Sequence, residues 1–356
     1  MIAFSPDSVF YLSGAAILTQ RLLPERLAIV AVRADGDPAF IVCNIEQDLA
    51  KKHSSIGDIR IYVEFEKSPI DVLLECLRGW GIRNASVGLE MSFLTAAFYR
   101  RLQEGAIADR IRFDDCSDLI GTLRMTKDRE ELDTLERANQ ATDRAIRSAF
   151  EAARIGDTER QLGFRISEHL QANGADQVGW VLVGFGETSH LVHQLPTDKQ
   201  MKAGDLVRID CGGSFGGYYS DLARSCFAGQ PTPRQRSIYD RLLEGHDRII
   251  EGMRPGVRPC DVFRNAVHVS QELGIPMREK EPHCGHSIGL SIHERPILNP
   301  FETMELRPGM VFCVEPTYFA ATGEFFHTED LVVITETGSR VVSRSVNWRQ
   351  PYTIGG

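Results

Sequence analysis

The sequence predicts two domains, a smaller N-terminal α/β domain over residues 1–120 and an α+β domain over residues 121–356. The length of 356 residues exceeds what one hydrophobic core usually serves. Apolar runs alternate with helical patterns up to about residue 118, which is typical of α/β structure. The remainder of the chain repeats itself weakly, and this repetition predicts two related halves.

The N-terminal part contains short apolar runs that predict strands and amphipathic stretches that predict helices. We expect strands at Leu27–Val32, Ala39–Val42 and Ala85–Leu89, and helices at Asp71–Trp80 and Phe93–Leu102. No cluster of candidate ligands occurs in this part of the sequence. The functional residues are therefore expected in the second domain.

A boundary near Gly121–Lys127 precedes a sequence that predicts one long amphipathic helix. Thr126 is the expected N-cap, with Asp128 in the first turn. Only Thr142 interrupts the apolar face. That face carries Leu132, Leu135, Ala138, Ile146, Ala149 and Phe150.

Two pairs of carboxylates lie at the ends of predicted strands. An apolar run ends at Asp210, and a glycine-rich stretch then leads to Asp221, which predicts a hairpin with a long connection. A second run ends at Glu315 and returns through a Thr322–Gly323 turn to Glu329, which lies almost as far from that turn. We expect each hairpin to hold two carboxylates that face each other across adjacent strands.

The two acid-bearing segments also share their spacing. In each, a glycine (Gly204 or Gly309) stands six positions before the first acid. Residues 151–156 are likewise echoed by residues 251–256. These echoes predict a pseudo-twofold α+β domain in which each half contributes one carboxylate pair.

Four acids in one core would repel each other and raise their pKa values unless cations neutralised them. Two divalent ions balance four carboxylates in formal charge. His286, in a glycine-containing segment, supplies a nitrogen ligand. An oxygen-rich set with one nitrogen suits Mn²⁺, Co²⁺ or Fe²⁺, with Zn²⁺ possible, and manganese is favoured.

Composition and charge exclude several classes of protein. The formal net charge of −9 disfavours a nucleic-acid-binding surface and a polybasic membrane patch. The N-terminal residues lack the pattern of a secretory signal, and no stretch reaches membrane-spanning length without charge. We therefore expect a cytoplasmic protein that binds neither nucleic acid nor membrane.

The eight cysteines are scattered without a CxxC motif, and they are expected to be reduced thiols. Strand alternation turns Cys211 away from the face of Asp210 but places Cys313 on the same face as Glu315. Both are interpreted as small buried filler.

With these motifs the chain resembles the pita-bread metallopeptidase superfamily, and within it the creatinase-type and Xaa-Pro peptidase-type members. The acid hairpins and the segment Cys284–Pro296 carry this resemblance. In the N-terminal part, Ser8–Gly14 approaches the family opening Asn/Asp-x-x-Tyr-Leu-Ser/Thr-Gly, with Ser8 in place of Asn or Asp. The resemblance implies a C-terminal pita-bread catalytic domain and a smaller N-terminal creatinase-like domain.

The resemblance also implies a ligand set for two divalent metal ions. Asp210 would bind one ion, Asp221 and Glu329 would bridge the two, and His286 and Glu315 would complete the coordination. A hydroxide between the ions would be the nucleophile. Glu315 would accept the proton of the water from which it forms.

Two further histidines match family positions beside the substrate. They are His193 and, in the His-Glu-x-Pro element, His293. Their implied roles are hydrogen bonding to the scissile amide and stabilising the tetrahedral intermediate, with His193 assisting the leaving nitrogen. His190 and His283 have no such motif context and are expected to be structural or to support the ligands.

The chain departs from the family at His327, where Xaa-Pro peptidases usually carry Arg. Strand alternation places His327 on the face of Glu329, pointing toward the site. A largely neutral His cannot replace the forked, permanently charged guanidinium. His327 would therefore either contact a non-peptide substrate or pack as a partner of Glu329.

The implied activity is hydrolysis of a C–N bond in a small substrate, by default an Xaa-Pro dipeptide or short Xaa-Pro peptide. The alternative is a non-peptide C–N hydrolase acting on a cyclic amidine or guanidino compound, as ectoine hydrolase and creatinase relatives do. A lyase of the same fold and a non-catalytic binding scaffold are remote alternatives, and the five intact ligand positions argue against the scaffold. The resemblance also implies a homodimer.

Overall fold

The computed structural model describes residues 1–278 and 280–355. The chain divides into two compact units, Met1–Leu123 and Arg124–Gly356. Each unit has its own sheets and its own hydrophobic clusters.

The N-terminal unit is built on a mixed six-stranded sheet with the order β4-β3-β2-β1-β5-β6. Its strands are β1 (Ile2–Ala3), β2 (Ile29–Ala31), β3 (Ala39–Cys43), β4 (Asp58–Tyr62), β5 (Ser86–Leu89) and β6 (Arg112–Asp115). The helices in and after this unit are α1 (Pro6–Ser13), α2 (Leu18–Leu22), α3 (Gln47–His53), α4 (Pro69–Gly79), α5 (Ala96–Ala106) and α6 (Ser117–Met125). The three predicted strands and two predicted helices are confirmed, with ends displaced by a few residues.

Alternate residues of the central strands enter two separate cores. Ile29 and Ile41 belong to one hydrophobic cluster, whereas Val30 and Phe40 belong to the other. Both faces of the sheet are therefore covered, which explains why these strands are continuous apolar runs.

Ser8, the departure from the family opening, is buried in α1. Its hydroxyl donates to Oε1 of the buried carboxylate of Glu90 at 2.6 Å. The backbone N–H groups of Phe4 and Ser5 donate to the other oxygen of Glu90 at 2.7 and 2.8 Å. A hydroxyl donor at position 8 thus matches the carboxylate that faces it.

The C-terminal unit contains two sets of elements in the same order, a pair of helices followed by antiparallel strands. The first set is α7 (Arg129–Ala152), α8 (Glu159–Ala172), β7 (Gln177–Phe185), β8 (Leu206–Phe215), β9 (Tyr218–Tyr219) and β10 (Leu222–Ala228). The second set is α9 (Pro233–Glu251), α10 (Pro259–Glu272), β11 (Gly285–Ser287), β12 (Glu294–Ile297), β13 (Val311–Val314), β14 (Thr317–Phe319), β15 (Phe325–His327), β16 (Asp330–Ile334), β17 (Ser339–Val341) and β18 (Thr353–Ile354).

The two larger sheets of this unit have the orders β18-β10-β8-β7 and β12-β11-β13-β16-β17. In each, three neighbouring strands pair antiparallel: β7, β8 and β10 in the first sheet, and β11, β13 and β16 in the second. This arrangement agrees with the α+β architecture and the duplication that the sequence echoes predicted.

The predicted N-cap of the long helix was wrong by two residues. Asp128 caps α7, because its side chain accepts from the backbone N–H of Glu131 at 2.9 Å while the Glu131 carboxylate accepts from the N–H of Asp128 at 2.8 Å. Thr126 instead forms a bridge with Met310, and Lys127 N–H donates to Gly309 at 2.9 Å. This pairing keeps the chain extended at Thr126, so the helix cannot begin there.

A buried charge network joins α7, β10 and β16. Arg224 donates to Asp143 and to Asp330, each at 2.8 Å. Asp330 also accepts from Arg344 at 2.7 Å. The ring of His246 completes the network, with Nδ1 at 3.1 Å from Arg344 and Nε2 at 3.1 Å from the Val314 carbonyl.

We predict that the buried imidazole of His246 makes the protein less stable in mild acid. Desolvation lowers the pKa of His246 from 6.5 to about 4, despite the attraction of Asp330. Between pH 6.5 and pH 4 the imidazole takes up a proton in the unfolded protein, whereas it stays neutral in the folded protein. The contribution of the neutral ring to the free energy of unfolding is therefore complete above pH 6.5 and is lost as the pH falls toward 4. The loss is on the order of 3 kcal/mol.

Urea unfolding above pH 6.5 and between pH 6.5 and pH 4 measures this loss of stability. His246→Gln cannot titrate and should show a shallower loss of stability with acid than the unmodified protein. His268→Gln on α10 is the matched control, because His268 is 67% exposed. Identical pH profiles for His246→Gln and the unmodified protein would contradict the prediction.

Candidate metal centre

The first hairpin places Asp210 and Asp221 as diagonal neighbours. Asp210 lies opposite Ala223, and the same β8–β10 register carried one step further puts Asp221 opposite Gly212. The expectation that these carboxylates directly face each other was therefore wrong, although diagonal pairs remain within reach. A side chain at Gly212 would collide with the carbonyl of Ser220, so the close approach of the chains requires glycine there.

Each of these aspartates is held by a specific donor. Trp180 Nε1 donates to Oδ1 of Asp210 at 2.7 Å, and Arg208 donates to Oδ2 at 2.7 Å. Asp221 is 5% exposed, and its backbone N–H donates to Asn139 Oδ1 at 3.1 Å. Their positions are thus fixed by the strands and by neighbouring polar groups.

The second hairpin is longer than the sequence predicted and consists of two paired segments in one register. Val314 pairs with Asp330 in β13–β16, and Thr317 pairs with His327 in β14–β15. Glu315 and Glu329 lie opposite each other in the gap between these segments, as expected. The N–H of Glu329 donates to Ala223 of the first half at 3.0 Å, which joins the two hairpins.

His286 on β11 lies among the carboxylates of both hairpins. Its Nε2 is 3.6 Å from Asp221 Oδ2, 3.6 Å from Glu315 Oε1 and 3.8 Å from Glu329 Oε1. These distances exceed hydrogen-bond length, so they leave room for a cation between nitrogen and oxygen. Four of the five predicted ligands therefore converge.

The tautomer of His286 suits metal binding. Nδ1 lies 3.2 Å from the Ser287 carbonyl, which can only accept a hydrogen bond. The Nδ1 proton is thereby accounted for, and Nε2 keeps its lone pair. Desolvation lowers the pKa of His286 to about 4 and keeps the ring neutral.

The metal-free carboxylates repel each other. Burial raises the pKa of Asp221 and of Glu329 well above the usual carboxyl range, and the charges of Asp210 and Glu315 raise it further. Oε1 of Glu329 is buried without a hydrogen-bond partner in the part of the chain that the structure describes. Divalent cations fit this site, because they would relieve the repulsion and give Glu329 a partner.

Glu315 differs from the other acids. Burial raises its pKa, but the imidazoles of His283 and His327 outweigh this effect and hold the pKa well below its usual range. His283 Nδ1 is 3.3 Å from Oε1 of Glu315, and His327 Nε2 is 3.4 Å from Oε2. His283, expected to be structural or to support the ligands, thus lies against a predicted ligand.

Cys313 lies closer to the candidate ligands than its interpretation as a small buried packing residue suggested. Its Sγ and the ligand atoms of Asp221, His286 and Glu329 all lie within 4.8 Å of one another. Burial raises the pKa of this thiol well above its usual value, so it stays protonated in the metal-free site. Cys211, in contrast, packs in a hydrophobic cluster, as expected.

The two predicted substrate histidines lie in different environments. The ring of His293 stacks on that of His286 with centroids 3.8 Å apart. Burial lowers the pKa of His293, and His193 is among the neighbours whose charge lowers it further. His193 itself is exposed.

Arg208 is the site residue that the sequence reasoning missed. It is 1% exposed, and its guanidinium contacts Asp210 and lies 3.3 Å from His327 Nδ1. The available signal was its position two residues before Asp210 on the same strand, which places both side chains on one face.

A buried ion-pair cluster beside His293 was also missed. Glu294 pairs with Arg124, and Lys127 Nζ lies 2.8 Å from Glu294 Oε2. The side chain of Lys127 is 1% exposed. This cluster fixes the segment that carries His293.

The comparisons with known proteins agree with this geometry. The profile of metallopeptidase family M24 matches residues 133–336, and that of the creatinase/prolidase N-terminal domain matches residues 1–126. The chain belongs to metallopeptidase family M24. The predicted resemblance and fold class are confirmed, and the protein is a metal-dependent peptidase by family.

Relatives match over almost the whole chain. The Xaa-Pro dipeptidase of Pyrococcus furiosus is 29% identical over 343 residues, which cover 96% of this chain and 92% of the relative. The solved prolidase from Pyrococcus furiosus has a TM-score of 0.83 at 27% identity and covers 97% of this chain and 96% of its own. The Xaa-Pro dipeptidase from Bacillus anthracis has a TM-score of 0.88 at 24% identity, covering 99% of this chain and 94% of its own, and it supports the fold alone.

Among residues 1–278 and 280–355, no helix combines the length and the apolar character that crossing a bilayer requires.

We predict that Asp221→Asn weakens binding of divalent metal ions by about 10–100-fold, because the variant removes one negative charge from the centre of the ligand set. Calorimetric titration of the metal-stripped protein with Mn²⁺ measures this change. Asp198→Asn makes the same chemical substitution at a side chain that is 80% exposed and should bind as the unmodified protein does. Equal affinity in both variants would exclude Asp221 from the ligand set.

Proposed function

We propose that this protein hydrolyses the peptide bond of Xaa-Pro dipeptides or short Xaa-Pro peptides with the help of two divalent metal ions. The observation that carries the proposal is the convergence of three carboxylates, from both hairpins, on Nε2 of His286. The relatives, an Xaa-Pro dipeptidase and a prolidase, supply the substrate class.

The proposed ligands are the five residues predicted from the sequence. They are Asp210, Asp221, His286, Glu315 and Glu329. Two bound divalent ions would lower the pKa of a water molecule, which serves as the nucleophile, and would polarise the scissile carbonyl. Oxygen ligands with one imidazole support manganese as the proposed metal.

The remaining groups of the site bind, orient and move protons. The two neighbouring imidazoles hold Glu315 in its carboxylate form, which is the form that binds a metal ion. Its proposed role as acceptor of the water proton follows from the resemblance. His293, whose ring stacks on that of His286, is proposed to donate a hydrogen bond to the developing oxyanion. The exposed His193 is proposed to contact the leaving nitrogen.

A second candidate function is hydrolysis of a C–N bond in a non-peptide substrate, such as a cyclic amidine or guanidino compound. The observation that favours it is His327. The guanidinium of Arg208 does not supply the missing recognition group, because Asp210, His327 and the Val192 carbonyl already engage it. The site therefore lacks at position 327 the free, forked cation that the resemblance associates with Xaa-Pro recognition.

A panel of substrates separates the two candidates. The Mn²⁺-loaded protein is expected to release proline from Xaa-Pro dipeptides or to cleave Xaa-Pro-Xaa peptides, with Asp221→Asn as the blank. Turnover of creatine or an ectoine-like cyclic amidine without any Xaa-Pro cleavage would replace the peptidase proposal with the second candidate. Homodimer formation and a cytoplasmic location stay predictions.

We predict that His293→Ala lowers turnover by about 10²–10⁴-fold while metal content stays unchanged, because the ring acts on substrate and is not a ligand. Metal analysis of the purified variant, together with steady-state kinetics, measures both quantities. His268→Ala, on the exposed side of α10, is the matched control. Loss of metal together with activity would move His293 into the ligand set.

A further inference from the structure

Arg208 is a buried cation whose contacts join several parts of the site. It donates to the Asp210 carboxylate at 2.7 Å and to the Val192 carbonyl, next to His193, at 2.6 Å. Its third contact is Nδ1 of His327 at 3.3 Å. The ring of His327 is itself 2% exposed.

The chemistry of arginine determines which nitrogen of His327 carries the proton. A guanidinium has only donors, so Nδ1 of His327 must accept the hydrogen bond. The ring proton is then on Nε2. That nitrogen faces the carboxylate of Glu315, with Oε2 at 3.4 Å, a separation at which the N–H and the carboxylate attract each other without forming a hydrogen bond.

The contact between Arg208 and His327 also argues against His327 as a metal ligand. Nε2 of His327 lies close enough to carboxylate oxygens of Glu315 and Glu329 for the three side chains to hold a metal ion. A metal ligand needs a lone pair on the nitrogen, however, and here Nδ1 uses its lone pair on Arg208 while Nε2 carries the proton. His327 therefore orients a ligand and does not act as one.

We propose that Arg208 and His327 form a positioning relay for Glu315: Arg208 fixes the tautomer of His327, whose Nε2–H attracts Oε2 of Glu315 and leaves Oε1 turned toward His286. Oε1 lies 3.6 Å from His286 Nε2. This inference rests on the proposed role of Glu315 as a ligand. Because Arg208 also holds Asp210, one side chain aligns candidate ligands from both hairpins.

The protein contains a second Arg–His pair of the same kind, in the ion-pair network behind the proposed ligands. Arg344 faces Nδ1 of His246 at 3.1 Å, and Nε2 of His246 faces the Val314 carbonyl at 3.1 Å. A carbonyl only accepts, so the His246 proton is also on Nε2. His246 therefore serves as an internal spectroscopic reference for the tautomer assigned to His327.

Nitrogen NMR of the full-length protein, labelled with ¹⁵N-histidine and loaded with ¹¹³Cd²⁺, tests the proposal directly. The His327 signals are assigned by their loss in His327→Gln. The expected result is a proton on Nε2 of His327, as in His246, and ¹¹³Cd coupling at His286 but not at His327. A proton on Nδ1 of His327, or cadmium coupling to its Nε2, would overturn the relay. Failure to bind cadmium at all would contradict the proposed metallopeptidase function instead.

Two substitutions of His327 separate the donor at Nε2 from the acceptor at Nδ1. His327→Gln keeps an N–H donor near the position of Nε2, whereas His327→Asn keeps an acceptor near Nδ1 and loses the donor. We expect His327→Gln to retain activity within about threefold and His327→Asn to lose about 10–100-fold in kcat or metal affinity. The opposite ranking would show that the contact with Glu315 has no positioning role.

Discussion

Electrostatic repulsion among buried carboxylates is the constraint on which the rest of this structure depends. Asp221 and Glu329 are almost fully buried, and burial together with the neighbouring acids raises their pKa values. Such a set is stable only beside positive charge. Arg208 supplies one fixed charge through its contact with Asp210, and divalent cations are the chemically suitable source of the remainder.

The duplicated architecture brings the acids together without relying on loops. Each half supplies one hairpin, and the bond from Glu329 N–H to Ala223 joins them. Directly behind this junction, Arg224 and Arg344 pair with Asp143 and Asp330, so the residue next to Glu329 belongs to a separate ion-pair network. The repulsion is thus confined to the proposed metal ligands, and the carboxylates behind them are paired with cations.

Much of this could be predicted from the sequence because the signals are local. Strand ends, glycine spacing and turn residues located Asp210 and Glu315 and their partners, and the fold class followed from the same patterns. The register error at Asp221 arose because distance from a turn does not fix which residues pair across a long connection. Thr126 has the chemistry of an N-cap, and only its pairing with Met310, far away in sequence, prevents the helix from starting there.

Arg208 shows most clearly what local patterns cannot reveal. A charge within an apolar strand is usually solvated, and its burial follows only from the packing of β15 against β8. That packing makes positions 208 and 327 one physical unit, since both side chains are buried and lie 3.3 Å apart. An arginine at position 327 would bring two guanidinium groups together, whereas a histidine ring can accept a hydrogen bond from Arg208. The departure from the family at His327 is therefore explained by the neighbouring strand, and substrate recognition in this protein must be considered for the pair and not for either residue alone.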